Sequence, residues 1–224
     1  MRAPEAKALS FMLTALVGSG QALLAQEAAP ELVPAFAHVS RVSDAFRGTP
    51  EGMGLLPTAV AEAEIAHQHA TLAVEAPDDL DAMKRHAAHV VHALDPAEME
   101  DGGPGLGYGL VLAATRTAHY MELAEASEGA TDGIRTHATH VATASRQAAI
   151  HAQEALELAT QVDDAEEAGE AAALLEELVA LTEAILNGVD ADGDGSIGWQ
   201  EGEGGLAQAS RHLDLLRQGE GLGN

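Results

Sequence analysis

Apolar residues recur at steps of three and four along most of the chain, which is the spacing of one face of an α-helix. The clearest example is a stripe through Leu80, Met83, Ala87, Val90 and Leu94. Pro77 precedes it, and Asp78 or Asp79 is expected to cap the helix. No segment alternates apolar and polar residues as a strand does. The pattern therefore predicts an all-α protein, folded as an antiparallel helical bundle over residues 26–187.

The same spacing predicts the other helices and the breaks between them. Helices are expected at 31–46, 58–76, 110–125, 131–161, 163–187 and 207–217, with the stripe above lying in a helix that ends near 94. Proline and glycine clusters at 48–57 and 95–109 predict connections. The glycine run in the second could cradle an anion on its N–H groups, or it could be a plain flexible connection.

The helix expected at 110–125 is apolar on two sides. Leu110, Ala114 and Met121 mark one face, and Leu112 and Leu123 belong to the other. A helix with two apolar faces is typical of the middle of a bundle, and we expect it there.

Acidic side chains recur in a regular pattern in residues 190–201, DADGDGSIGWQE. Aspartates occupy the first, third and fifth positions, and a glutamate occupies the twelfth. Gly195, at the sixth position, suits a sharp turn through positive φ. A hard cation such as Ca²⁺ prefers oxygen ligands of this kind.

This stretch resembles the calcium loop of the EF-hand family. The resemblance implies a Ca²⁺ ion held by side chains of Asp190, Asp192 and Asp194, by the Ser196 carbonyl and by both carboxylate oxygens of Glu201. It also implies a helix–loop–helix over 175–217, in which Ca²⁺ sets the angle between a helix ending near Asn187 and one beginning near Gln200. Ile197 is expected to point into the adjoining core. A single hand favours stiffening of this end of the chain, or dimerisation through two hands.

The overall charge limits the classes of partner. The 224 residues carry a formal net charge of −25, so no basic stripe is available for nucleic acid. There is no cysteine, which excludes disulfides, thiolate metal sites and thiol nucleophiles. With no motif typical of catalysis, we expect a binding or structural protein and not an enzyme.

The beginning of the chain predicts export. Arg2 and Lys7 precede an apolar run from Ala8 to Ala25 that ends in small residues, as in a secretory signal peptide spanning 1–25. A membrane anchor is the alternative, but the run is short and is interrupted by polar residues. We therefore expect a periplasmic or extracellular protein with no membrane-spanning segment after cleavage.

The 11 histidines are a second chemical signal. A set from three predicted helices borders apolar stripes and could converge on one zinc, copper or iron ion or on a haem: His69, His119, His137, His140 and His151. Buried histidines bonded to backbone carbonyls, or a bundle that responds to pH, are the alternatives. This set makes a transition-metal or haem-binding carrier or redox enzyme the second hypothesis, beside the calcium-binding one, and Glu64 and Glu122 could add carboxylates.

A separate histidine triplet lies on the helix that ends near 94. His86, His89 and His92 follow each other at steps of three. Measured from Ala87, His89 and His92 point away from the apolar stripe, so a solvated face is expected. His89 and His92 could still share a surface zinc or copper ion.

Overall fold

The structure is a computed structural model, and it describes residues 34–99 and 102–223. Over these residues the chain forms seven α-helices and no β-strand, which confirms the all-α prediction. The helices are α1 Pro34–Ser43, α2 Leu55–Val74, α3 Leu80–Leu94, α4 Leu110–Ala126, α5 Asp132–Asp164, α6 Ala168–Asn187 and α7 Leu206–Gly219. The expected signal peptide, 1–25, lies outside the described residues. None of the described helices is both long enough and apolar enough to cross a bilayer.

Side-chain caps fix several of the helix starts. Asp79 accepts a hydrogen bond from the Ala82 N–H at 2.9 Å, and Thr131 accepts one from the Ile134 N–H at 3.0 Å. Each cap satisfies an amide that has no partner inside the helix. Some predicted boundaries are wrong. The helix α5 continues through Asp163 and Asp164, which were expected to start the next helix, and α2 begins at Leu55, inside a predicted connection.

The long helix α5, and not α4, is the central one. It packs against α3, α4, α6 and α7, whereas α4 packs mainly against α1, α2 and α5. Leu110 and Met121 of α4 are buried, but Leu112 and Leu123 on its other side are 42% and 36% exposed. The expectation that both faces of α4 are buried is therefore wrong.

Alanines make up much of the core. The buried residues of α5 include eight alanines. In α2, five alanines at helical spacing are at most 1% exposed: Ala59, Ala63, Ala66, Ala70 and Ala73. Small side chains let helix backbones approach closely. Polar side chains on facing helices, the histidines among them, are therefore brought close to one another.

The glycine-rich connection after α3 folds around a buried carboxylate. Glu62 of α2 is fully buried, and its two oxygens accept hydrogen bonds from the N–H groups of Leu106, Tyr108 and Gly109 at 2.9–3.1 Å. The connection therefore does cradle an anion, but the anion is a side chain of the same protein. These bonds compensate the burial of a charge, which would otherwise be costly.

Candidate metal centres

Three histidines of α2 and α3 bring their ring nitrogens together at what we call the α2–α3 site. Nδ1 of His69 lies 3.0 Å from Nδ1 of His86 and 3.3 Å from Nδ1 of His89. His86 and His89 are one helical turn apart, so both project from the same face of α3. The ligand atoms of the three lie within 4.8 Å of one another, and all three residues are half-buried.

A second set, the α5–α7 site, is built in the same way. Nδ1 of His212 on α7 lies 3.1 Å from Nδ1 of His137 and 3.3 Å from Nδ1 of His140, both on α5. These ligand atoms also lie within 4.8 Å of one another and are half-buried. Each site thus combines a His-x-x-His pair on one helix with a single histidine from another helix.

Hydrogen bonding alone does not account for these contacts. In each site one Nδ1, of His69 or of His212, faces two other Nδ1 atoms. A ring nitrogen either donates its one proton or accepts with its one in-plane lone pair, so it cannot make two good hydrogen bonds to two such partners. One N–H···N bond can satisfy one pair in each site, but the third nitrogen is then left without a hydrogen-bond partner among the three.

A proton is disfavoured in that position near neutral pH. The pKa of His212 is lowered to about 4, mainly by burial and then by the positive charge that His140 and His137 would carry. Burial is also the largest cause of the lowered pKa of His140, His69 and His89, with neighbouring histidines contributing in each case. Neutral imidazoles are the form that binds metal.

The spacing of the nitrogens matches that of a metal ligand set. Two nitrogens bound at about 2.05 Å to a tetrahedral zinc ion lie about 3.3 Å apart. Four of the six separations are 3.0, 3.3, 3.1 and 3.3 Å, and the remaining pair in each site lies within 4.8 Å. Three such nitrogens form one face of a tetrahedron and leave a fourth position for water or another ligand.

The two sites are far apart. Lys84, near the His86–His89 pair on α3, donates to the backbone carbonyl of Asp163 at the end of α5 at 2.6 Å. The His137–His140 pair lies near the start of α5, about 23 residues earlier, and a helical rise of about 1.5 Å per residue separates the two ends of that stretch by about 35 Å. An ion at one site therefore could not be shared with the other, as it would be in a metal pair.

The structure joins some of the expected histidines and separates others. His69 belongs to the α2–α3 site, and His137 and His140 belong to the α5–α7 site. His119 is exposed beside the Tyr120 ring, and His151 contacts Gln147 and Glu154, so neither joins a cluster. The five do not converge on one centre. Glu122 pairs with Arg146, and Glu64 lines a groove by α7.

Three of the six candidate ligands lie outside the histidine set that was expected to share one ion, although His89 was considered as a surface ligand together with His92. His86 and His89 were expected to face solvent, yet both turn toward His69 of the neighbouring helix. His212 was not singled out, although the repeated His-x-x-His spacing was a usable signal. His92 is only 7% exposed and packs under Gly103 and Gly105, so it does not share a surface ion with His89.

The acidic loop brings together three of its expected ligands. One carboxylate oxygen from each of Asp190, Asp192 and Asp194 lies within 4.8 Å of the others. Asp190 also accepts hydrogen bonds from the N–H groups of Gly193, Asp194 and Gly195 at 2.8–3.1 Å, which closes the turn. Gly193 and Gly195 have φ of 75° and 87°, where a side chain would be strained.

The second half of this loop departs from the EF-hand expectation. Glu201 lies outside the converging carboxylates and lines a surface depression with Arg146 and Gln147 of α5. The exit helix begins at Leu206 and not near Gln200. Ile197 is 41% exposed, so it does not anchor a core. Three of the five expected ligands are thus close together, whereas the expected closing glutamate is not among them.

No protein-family model matches the sequence, and neither a curated protein nor a solved structure matches the chain.

Proposed function

We propose that this protein binds two transition-metal ions, Zn²⁺ or Cu²⁺, one in the α2–α3 site and one in the α5–α7 site. The observation that carries the proposal is the convergence, in both places, of three Nδ1 atoms on a point that hydrogen bonds cannot satisfy. Three imidazoles without a thiolate suit these borderline ions. Haem iron takes a histidine singly on one face of the ring, so a triangle of nitrogens favours a bare ion over haem.

The surroundings support reversible binding, as in a carrier or a metal buffer. All six histidines are half-buried, so an ion reaches them from solvent without unfolding of the protein. The formal net charge of −25 attracts cations in general. Three protein ligands leave one coordination position open, which a second ligand could use to deliver or remove the ion.

The proposal includes an overall arrangement and a location. We place the two sites toward opposite ends of an antiparallel bundle, with support from the contact between Lys84 and Asp163. Export through the expected signal peptide at 1–25 would bring the protein to metal ions outside the cytoplasm. Sequencing of the amino terminus of the mature protein tests the cleavage.

Metal stoichiometry tests the proposal. Protein purified without chelator is stripped and titrated with Co²⁺, which reports tetrahedral coordination by visible absorption, and with Zn²⁺ by calorimetry. We expect about two ions per chain, and about one after replacement of either histidine trio by asparagine. The matched control replaces His119 and His151, which lie outside both sites, and should leave the stoichiometry unchanged. Failure of the unaltered protein to bind either ion would overturn the proposal.

A second candidate function is Ca²⁺ binding in the loop 190–201. The convergence of the Asp190, Asp192 and Asp194 carboxylates favours it. Trp199 is the single tryptophan, and its position near the loop makes sensitised Tb³⁺ emission a direct assay. We expect emission that Ca²⁺ competes away and that Asp190→Asn with Asp192→Asn abolishes, while the exposed Asp214→Asn on α7 leaves it intact. Glu201→Gln then shows whether Glu201 joins the ion; an unaltered Ca²⁺ affinity would mean that it does not.

A further inference from the structure

The ring of Trp199 lies flat against one ligand of the α5–α7 site. The centroids of Trp199 and His140 are 3.7 Å apart, and the two rings are inclined by only 19°. His140 in turn meets His212 edge-on, at a centroid distance of 4.5 Å. The indole therefore covers the face of His140, while the Nδ1 of that ring stays directed at His212.

The backbone around Trp199 is itself fastened to α5. The N–H of Gly202 donates to Oε1 of Gln147 on α5 at 3.1 Å. Within the segment itself, the N–H of Gly198 donates to Oε2 of Glu203 at 2.9 Å. Gly204 lies so close to α5 that a Cβ added there would be 2.8 Å from the Cβ of Ala144. Trp199 is thus held against the turn of α5 that follows His140.

The α2–α3 site has no such support among the described residues. Its three rings contact one another, with centroid distances of 4.6–5.7 Å, and no other aromatic ring stacks on them. A histidine on a helix surface normally samples several rotamers, and binding a metal removes that freedom. A ring already held in the binding orientation loses less freedom when the ion binds.

We propose that Trp199 is a positioning residue of the α5–α7 site, where it holds the His140 imidazole toward the ion and makes this site the first to fill when metal is limiting. This proposal rests on the proposed transition-metal function, and it gives a physical reason why the two sites would differ in metal affinity. Residues that orient metal ligands typically change metal affinity by about 10- to 100-fold. The α5–α7 site should bind at least about 10-fold more tightly than it would without the indole.

Replacement of Trp199 tests this role in a protein that retains only the α5–α7 site, with His69, His86 and His89 changed to asparagine. We expect Trp199→Ala to weaken Co²⁺ binding by about 10-fold or more, and Trp199→Phe, which keeps a flat ring, to restore most of the affinity. Circular dichroism and thermal melting identify any variant that is misfolded. Equal Co²⁺ affinity in folded Trp199→Ala and in the parent would overturn the proposal, as would a Trp199→Phe protein as weak as Trp199→Ala.

The order of filling is tested in the protein with both sites intact. Cu²⁺ quenches a neighbouring indole, so the fluorescence of Trp199 should fall to its final level within the first equivalent of Cu²⁺. Quenching that begins only after the first equivalent, or that proceeds evenly over two, would contradict preferential filling.

The proposed function and this role of Trp199 fail in different ways. If neither site in the unaltered protein gives the visible band of bound Co²⁺, both are wrong. If both sites bind Co²⁺ and Trp199→Ala changes nothing, only the role of Trp199 is wrong.

Discussion

The α2–α3 site and the α5–α7 site use the same ligands in the same arrangement, yet they join very different parts of the chain. His69 meets partners 17 and 20 residues away, across two consecutive helices. His212 meets partners 75 and 72 residues away, across α6 and the acidic loop. The same three side chains therefore link two consecutive helices in the α2–α3 site, and link the last helix to a helix far away in the sequence in the α5–α7 site.

The difference in separation has an energetic consequence. An unfolded chain can also gather three histidines around an ion, but it must close a loop to do so. The loop is about four times longer for the α5–α7 site, and at about 0.6 kcal/mol per doubling this adds about 1.2 kcal/mol. The unfolded chain therefore competes less well for an ion at the α5–α7 site, and an ion bound there stabilises the folded protein more.

The largest effect that would distinguish the sites is the loss of one ligand. His212 is the ligand from α7, so His212→Asn leaves two nitrogens on α5 alone. We expect Zn²⁺ affinity at this site to fall by at least about 100-fold, since even residues that only orient ligands are worth about 10- to 100-fold. Calorimetry should then show one strong site per chain, with the affinity of the α2–α3 site unchanged.

The matched control for this variant is His151→Asn. His151 lies on α5, as His137 and His140 do, but its ring contacts Gln147 and Glu154. Two strong sites should therefore remain. The assignment of ligands would be wrong if His151→Asn lost a site. It would also be wrong if His212→Asn kept two intact sites.

Thermal unfolding measures the smaller difference between the sites. In proteins that keep one site each, Zn²⁺ at 100 times its dissociation constant should add about 2.7 kcal/mol if the unfolded chain does not bind. For a chain of this size that raises the melting temperature by about 5–10 °C. We expect the full rise with the α5–α7 site and a smaller one with the α2–α3 site, measured by scanning calorimetry. Equal rises in melting temperature would show that loop length does not cause a difference in stabilisation between the two sites.

Local signals in the sequence predicted the helices well. The stripe from Leu80 to Leu94 and the cap at Asp79 depend on residues only a few positions apart, and the structure has them as expected. The prediction that both faces of α4 are buried was wrong because burial depends on contacts between distant parts of the chain. Whether Leu112 is covered depends on which helix passes it, and its own neighbours in sequence carry no information on that.

The proposed metal sites depend on contacts between residues that are far apart in the sequence. The spacing of His86 and His89 shows that they share a face, but not that His69 stands opposite them. Only the packing of α7 on α5 brings His212 to His137. The cradle around Glu62 was hidden in the same way, since its donors lie 44–47 residues away in the chain.

The smallest effect concerns the pH dependence of the metal-free protein. In the folded protein, burial of the ring and the neighbouring His140 and His137 lower the pKa of His212 from its ordinary value of 6.5 to about 4. The unfolded chain takes up this proton near pH 6.5 while the folded protein does not, so the contribution of His212 to stability is present above pH 6.5 and is lost as the pH falls toward 4.

Urea unfolding of His212→Asn should therefore depend less steeply on pH in this range than unfolding of the unaltered protein. The carboxylates titrate alike in both proteins and cancel in the difference. Identical slopes would mean that His212 is not buried beside His140 and His137 as the structure has it, and the α5–α7 site would then not be preformed.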